Sequence, residues 1–232
     1  MWLASQLDLL CRMIKEVFCI MKLGEFGNIL LEYEEVLISK IEKYKGIDFS
    51  ERYVEGAIRY KDELIHYETI RRRQFKKVLK AFWKECKEHN LGNVLDYGSG
   101  KGYILYLLAE SGLFKTVTGI EILPELCEIC YGNKGKLNCS DVDIINVDAR
   151  TYTQIDYYDV FFMFNPFPKS AMQEVVKRID ESLERKPRKL CIIYVNNVHD
   201  DMILNRINSI KKKSEINNMP RCGCKSAIYI NF

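Results

Sequence analysis

The chain has 232 residues, enough for one sizeable hydrophobic core with an appended segment or for two small domains. Its 47% hydrophobic and 29% charged residues are typical of a soluble globular protein, and a net charge of +3 is too small to indicate a nucleic-acid partner by itself. The nine cysteines are an odd number in a long chain without a recognisable signal peptide. This pattern fits reduced thiols in the cytoplasm better than a secreted disulfide framework.

Residues 1–23 are rich in Leu, Ile, Phe and Met but carry charges that interrupt every long apolar run. These charges are Asp8, Arg12, Lys15, Glu16 and Lys22. A bilayer span requires roughly 20 consecutive apolar residues, so no transmembrane segment is predicted here. We expect an amphipathic helix packed on the protein, with peripheral membrane contact or a dimer interface as the alternatives.

The pattern stays helical up to residue 90, with breaks at residues 24–28 and 45–46. Apolar side chains recur at helical spacing over residues 75–83, and Gly92 is predicted to mark the end of that helix. We assign residues 1–90 to a helical N-terminal extension, a candidate lid, and residues 91–232 to the main domain.

Strands and helices alternate after residue 92. The predicted strands are residues 93–97, 116–121, 142–147, 159–164, 190–196, 210–216 and 226–230. The predicted helices are residues 104–110, 124–131, 170–185 and 201–207. Such alternation favours a parallel sheet with helices on both faces, and the last two strands, which have no helix between them, must run antiparallel.

A glycine loop joins the first predicted strand to the first helix of this domain. Residues 98–102 read Gly-Ser-Gly-Lys-Gly, and glycines at alternate positions let the backbone turn tightly and approach a ligand. The dinucleotide fingerprint G-x-G-x-x-G requires a third glycine at position 103, which is Tyr103. The loop therefore predicts a nucleotide-like ligand at the carboxyl edge of the sheet, but not a dinucleotide.

Three acids follow three successive predicted strands. Asp96 lies at the end of the first strand, where it would repel a pyrophosphate and attract the ammonium of a methionine moiety. Glu121 ends the second strand, where it can accept both ribose hydroxyls, and Asp148 follows the third, where it can accept from an adenine amino group. Each acid alone is often only a helix cap, but the ordered set predicts an adenosine-plus-ammonium site.

These motifs resemble the core of class I S-adenosylmethionine-dependent methyltransferases, from Val94 to Phe167. The resemblance implies a Rossmann-like α/β fold with a seven-stranded sheet and S-adenosylmethionine as cofactor. It also implies the cofactor-binding residues Asp96, Gly98, Ser99, Gly100, Gly102, Glu121, Ile122, Asp148, Ala149, Asn165, Tyr67 and Thr69.

A narrower resemblance concerns a group of largely uncharacterised bacterial class I methyltransferases. It rests on residues 96–102, 119–121, 164–167 and 193–196, and on Ile47-Asp48 and residues 67–69 in the N-terminal part, so it covers roughly residues 45–205. Tyr103 stands where this group often carries Arg, and Asn197 where Pro is common. Both lie near the expected mouth of the site and are candidates for altering substrate choice.

The candidate catalytic residues are Asn165, Pro166 and Phe167, which follow the most apolar strand. The motif partly matches that of aminomethyltransferases, in which the Asn side chain and a carbonyl bind an NH2 group and an aromatic ring stacks on a planar substrate. A purely structural Asn-Pro turn and a different acceptor remain alternatives. His199, just past a strand end, is either a base or an exposed loop residue.

Residues 67–69 precede the helix that enters the first strand, so they are expected above the cofactor. Tyr67 is a candidate for stacking on the cofactor, and Glu68 or Thr69 for binding its amino-acid end. We therefore expect residues 45–90 to form a lid that excludes water, with a plain packing helix as the alternative.

Two further patterns are weaker. Six cations over residues 71–80 fit phosphate contacts or a solvated helix face. The pairs Cys127/Cys130 and Cys222/Cys224 lack a histidine partner, and we predict no metal.

The sequence thus predicts a methyltransferase acting on an unidentified small molecule or macromolecular amine. The alternatives are an RNA or DNA N-methyltransferase and a non-catalytic nucleotide-binding module.

Overall fold

The computed structural model describes residues 38, 40, 43–50, 59–60, 63–64, 69–137, 139, 141–164, 166–219 and 224–232. The chain divides into two compact units, residues 1–46 and 47–232. In the first unit, the amide of Gly46 (φ 69°) donates to the carbonyl of Lys43 at 3.1 Å, which confirms the predicted helix break. The amphipathic helix predicted for residues 1–23 lies outside the described residues.

The second unit contains a seven-stranded mixed sheet and its flanking helices. A short antiparallel pair comes first, β1 (Arg59–Tyr60) and β2 (Glu63–Leu64). The main sheet consists of β3 (Asn93–Tyr97), β4 (Thr116–Glu121), β5 (Val142–Asn146), β6 (Val160–Phe164), β7 (Cys191–Val195), β8 (Lys211–Met219) and β9 (Cys224–Ile230). The helices are α1 (Arg72–Cys86), α2 (Tyr103–Glu110), α3 (Pro124–Leu137), α4 (Lys169–Arg185) and α5 (Asp200–Arg206).

The strand order of the main sheet is β5-β4-β3-β6-β7-β9-β8. Strands β3 to β7 run parallel, whereas β9 pairs antiparallel with both β7 and β8. This topology confirms the predicted Rossmann-like fold and its antiparallel ending. Because β3 lies between β4 and β6, the loops after these three strands meet at one edge of the sheet. The predicted cofactor motifs are thereby brought together.

Two hydrophobic clusters cover the two faces of the sheet. Apolar residues of α1, α2 and α3 pack on one face, and those of α4 and α5 pack on the other. The central strand β6, Val-Phe-Phe-Met-Phe, is buried on both sides over residues 160–163, as expected of an interior parallel strand. None of the helices in the described part of the chain has both the length and the apolar character that crossing a bilayer requires.

The boundaries differ most from the predicted ones in three places. Residues 59–60 and 63–64 form a short antiparallel strand pair and depart from the predicted helical pattern. Helix α1 ends at Cys86, and the left-handed residue that follows is Asn90 (φ 49°). Gly92 instead allows the close approach of the Lys115 side chain, since a Cβ there would lie 3.1 Å from it. Helix α3 continues beyond the predicted residue 131 to Leu137.

Candidate active site

The glycine loop of residues 98–102 lies between the end of β3 and the start of α2. Gly98, Gly100 and Gly102 have φ angles of 78°, 53° and 84°, the left-handed region that glycine enters at little cost. A Cβ on Gly102 would lie 2.4 Å from the Sγ of Cys130, so this glycine is also required by packing against α3. The sequence predicted this loop correctly.

Ser99 fixes the loop to the sheet. Its side chain is 4% exposed and donates to the carbonyl of Asp96 at 3.1 Å. A Cβ on Gly119 would lie 2.1 Å from the Ser99 Oγ, so Gly119 in β4 provides the space that this serine occupies. The role of Gly119 is a packing requirement that sequence reasoning did not identify.

Asp96 lies at the end of β3 with 1% of its surface exposed. Its Oδ2 is buried and has no hydrogen-bond partner among the described residues. Burial, with a smaller contribution from the nearby Glu121 carboxylate, raises the pKa of Asp96 to about 8, although Ser99 opposes the shift. An unpaired buried carboxyl group is costly, and a cationic ligand would supply the partner that it lacks.

Glu121 ends β4 and faces the glycine loop. Its Oε2 accepts from the backbone amide of Gly100 at 2.8 Å, and its Oε1 accepts from that of Leu123 at 3.0 Å. Burial raises the pKa of Glu121 above its ordinary value despite these hydrogen bonds. Each oxygen keeps a second lone pair for a further donor, so the side chain can shape the loop and bind hydroxyl groups simultaneously.

Asp148 follows β5, as predicted, but it is already engaged. The guanidinium of Arg150 binds both of its oxygens, and the Arg150 amide donates to Oδ1 at 2.9 Å. These hydrogen bonds lower the pKa of Asp148 below its ordinary value against the effect of burial. The hydrogen bond from the Arg150 amide belongs to a local turn over residues 148–151, in which the Thr151 amide donates to the Asp148 carbonyl. The sequence did not indicate that Arg150 competes for this carboxylate.

The catalytic motif predicted after β6 borders the glycine loop. A Cβ on Gly98 would lie 2.8 Å from the Cβ of Pro166, so the two motifs are in direct contact. The ring of Phe167 is half-buried and meets the ring of Tyr97 edge-on, with 5.9 Å between the centroids. Asn165 lies outside the described residues.

Three further predicted residues lie in the described part of the chain: Ile122, Ala149 and Thr69. Ile122 directly follows Glu121 and is half-buried, and Ala149 is buried beside Asp148. Thr69 is half-buried and precedes Ile70, which is 1% exposed. Tyr67 and Glu68 lie outside the described residues, so the lid of residues 45–90 stays a prediction.

Lys101 is the residue of the loop that the sequence interpretation overlooked. Its side chain is 2% exposed, and its ammonium donates to Asp48 Oδ2 and to the Ser50 carbonyl, each at 2.9 Å. A lysine in a phosphate-binding loop directs its charge to the phosphate, whereas this ammonium is bound by the protein's own residues. The Ile47-Asp48 pair in the family resemblance was the available signal.

The described cysteines include the free thiols Cys86, Cys127, Cys130, Cys139 and Cys191. Burial raises the pKa of Cys130 to about 12, so this thiol packs against Gly102 as a neutral group. Within the described residues, no group of three or more His, Cys, Asp or Glu side chains has the arrangement of a metal site.

Taken together, the edge offers an unpaired buried carboxyl group, a second carboxyl group with free lone pairs, and a glycine backbone that a ligand can approach. Residues 88–228 match the profile of a family described as a methyltransferase domain. The chain belongs to this methyltransferase family. The matched residues form a methyltransferase domain, which fits the S-adenosylmethionine site that the sequence predicts.

Several solved structures share the fold of this methyltransferase. The N-methyltransferase NodS from Bradyrhizobium japonicum WM9 is 10% identical, with 69% of this chain and 95% of that chain covered and a TM-score of 0.53. A methyltransferase from Leishmania major is 16% identical, with 68% and 71% covered and a TM-score of 0.53. MtNAS in complex with MTA and tNA is 18% identical, with 68% and 60% covered and a TM-score of 0.52.

This methyltransferase therefore spans less than two thirds of MtNAS. At these identities the likeness concerns the fold. A search of functionally curated proteins gives no significant match.

Proposed function

We propose that this methyltransferase binds its cofactor through Asp96, Glu121 and Asp148 and methylates a nitrogen atom of an acceptor held at residues 165–167. The cofactor, when bound, supplies a methyl group that is already activated on a sulfonium. The protein then has to orient the acceptor and accept a proton where one is released. The observation that carries the proposal is the unpaired, buried Oδ2 of Asp96 beside the glycine loop.

Each acid has a distinct proposed role at this edge. Asp96 holds the ammonium of the methionine moiety, because a cation both pairs with the buried carboxylate and lowers its raised pKa. Glu121 accepts from the ribose hydroxyls with the lone pairs that Gly100 and Leu123 leave free. Asp148 accepts from the adenine amino group. For this, the guanidinium of Arg150 must either share the Asp148 carboxylate with the adenine or move away from it.

The acceptor side of the proposal rests on the residue that follows β7, the strand that pairs with β6. Asn196, at the end of β7, has a left-handed φ of 51°, and its Oδ1 is buried without a partner among the described residues. A non-glycine residue held in this conformation carries backbone strain, which proteins often retain at functional positions. A buried, unpaired acceptor favours a substrate that presents an N–H group, as an amine, an amide or a nucleobase does.

One observation favours a nucleic-acid acceptor as the second candidate. Five exposed cations share one face of α1 at helical spacing: Arg73, Lys76, Lys77, Lys80 and Lys84. Trp83 lies at the border of this face and is 52% exposed. The start of α1 also lies near the glycine loop. The guanidinium of its first residue, Arg72, lies 6.0 Å from the ring centroid of Tyr103, which directly follows the loop. A basic face with an exposed aromatic ring is suited to phosphates and bases.

Methyl transfer can be tested directly with isotope-labelled S-adenosylmethionine and separated small-molecule, RNA, DNA and protein fractions of a cell extract. We expect label in a nitrogen of one fraction. We expect Phe167→Ala to lose most of this transfer while binding S-adenosylhomocysteine like the wild type, because Phe167 lies on the acceptor side.

Nuclease-sensitive label would select the second candidate, a nucleic-acid acceptor. The variant Lys77→Glu/Lys80→Glu/Lys84→Glu should then reduce labelling and lower the slope of log affinity against log salt by about 2 to 3.

Label on an oxygen or carbon atom would contradict nitrogen methylation. Binding of S-adenosylhomocysteine without any transfer to any fraction would instead indicate a non-catalytic module. The unfolding midpoint of Phe167→Ala has to be measured as the control, because this ring also packs against Tyr97.

A further inference from the structure

Lys101 is a charged side chain buried inside the cofactor-binding loop, and the cofactor chemistry makes no use of it. Its side chain is 2% exposed, and among the described residues its ammonium donates to Asp48 Oδ2 at 2.9 Å, to the Ser50 carbonyl at 2.9 Å and to the Ser50 Oγ at 3.4 Å. Burying an ammonium this completely is costly unless it is paired and hydrogen-bonded. The arrangement is therefore built around this particular lysine.

Asn133 makes a second connection between the same two segments. Its side-chain amide, 3% exposed on α3, donates to the carbonyls of Asp48 at 2.9 Å and of Lys101 at 3.1 Å. Its Oδ1 accepts from the backbone amide of Asp48 at 3.0 Å. One amide thus joins the N-terminal segment, the glycine loop and α3, with both of its functional groups in use.

The segment of residues 47–50 is also internally braced. The amide and the hydroxyl of Ser50 both donate to Asp48 Oδ1, at 3.0 and 2.6 Å. Phe49 packs its ring on Tyr103, the first residue after the loop, with 4.9 Å between the centroids. Polar and aromatic contacts therefore hold residues 47–50 against the end of the loop that leads into α2.

We propose that Asp48, Ser50, Lys101 and Asn133 form a clamp that positions the glycine loop for the cofactor. The clamp acts through Lys101 and Gly100, which are adjacent: the lysine side chain is fixed to residues 48–50, while the Gly100 amide is fixed to Glu121. The loop backbone is then set from both sides before the cofactor binds, which removes part of the ordering cost of binding. The inference rests on the proposed cofactor site. Lys101 is a positioning residue in it.

The test uses the full chain and compares Lys101→Met with a matched control, Lys134→Met. Lys134 also pairs with an aspartate, at 3.4 Å from Asp143, and neither residue belongs to the clamp. We expect Lys101→Met to bind S-adenosylhomocysteine about tenfold more weakly, which corresponds to about 1.4 kcal/mol of lost pre-organisation. Lys134→Met should bind like the wild type.

Hydrogen exchange separates positioning from a merely structural role. The peptide of residues 98–102 should exchange faster in Lys101→Met, while the peptide of β9 keeps its wild-type rate. Asp48→Asn should weaken binding more than Lys101→Met, because it leaves the buried ammonium without a counter-charge. The double variant should bind no more weakly than Lys101→Met alone, as expected of residues that act as one unit.

Wild-type affinity in folded Lys101→Met would overturn the clamp, and so would faster exchange spread uniformly over the sheet. A wild-type protein that does not bind S-adenosylhomocysteine would instead overturn the proposed cofactor site. In that case the exchange of residues 98–102 in Lys101→Met still decides whether the clamp orders the loop.

Discussion

Asp96→Asn is expected to make the protein more stable at pH 8 and at the same time to weaken cofactor binding. The wild-type carboxyl group is buried, lies near Glu121 and has an Oδ2 without a partner among the described residues, so its ionisation opposes folding. The neutral amide has a similar shape and carries no such cost. We expect the free energy of unfolding at pH 8 to rise by roughly 2 to 5 kcal/mol, measured by denaturant unfolding.

The size of this gain depends on pH in a defined window. Below pH 3.8 Asp96 holds its proton in both the folded and the unfolded chain, so it makes no difference to stability. Between pH 3.8 and about 8 the unfolded chain loses this proton and the folded chain keeps it, so wild-type stability falls as pH rises. The difference between Asp96→Asn and wild type should therefore grow over this window and level off above it.

The same variant should bind S-adenosylhomocysteine more weakly by about 1.5 to 3 kcal/mol, because the ammonium loses its charged acceptor. Asp143→Asn is the matched control, since Asp143 lies on β5 of the same sheet and its side chain is 79% exposed. Asp143→Asn should change neither quantity. A pH-independent stability difference for Asp96→Asn would show that Asp96 is ionised in the folded protein throughout.

Glu121→Ala is expected to weaken binding of S-adenosylhomocysteine by about 1.5 to 3 kcal/mol, or roughly 10- to 150-fold, in a calorimetric titration. The variant removes the acceptor for the ribose hydroxyls. It also removes the acceptor of the Gly100 and Leu123 amides, so the loop loses a support at the same time. A moderate loss of stability should accompany the loss of affinity.

Glu128→Ala provides the comparison for this variant, because Glu128 is an exposed glutamate on the adjacent helix α3. It should bind and unfold like the wild type. If Glu121→Ala keeps wild-type affinity in the folded protein, Glu121 does not contact the cofactor and the ribose subsite lies elsewhere.

The fold could be predicted from the sequence to a large extent because its signals are local. The glycine loop, the apolar strand at residues 160–164 and the lack of a helical sequence pattern between the last two predicted strands each follow from neighbouring residues. Together they determine the parallel core and its antiparallel end. Helix ends were less predictable, because Gly92 is explained by the distant Lys115 and not by the helix that precedes it.

The elements that sequence reasoning missed depend on contacts between distant residues. Lys101 meets Asp48, 53 positions earlier, and Asn133 meets Asp48 across 85 positions. No spacing rule links such residues. Arg150 was missed for the opposite reason: it lies two residues from Asp148, but only the folded turn brings its guanidinium onto that carboxylate.

We propose that the carboxyl edge of this sheet is an adenosine-plus-ammonium site built around Asp96. The most direct test is isothermal titration calorimetry at pH 7 with S-adenosylhomocysteine and with NAD, in two buffers of different ionisation enthalpy. S-adenosylhomocysteine should bind and release about one proton, because a group with a pKa of about 8 is mostly protonated before the cation pairs with it. NAD should not bind. Binding of NAD without binding of S-adenosylhomocysteine would show that this edge is not an adenosine-plus-ammonium site.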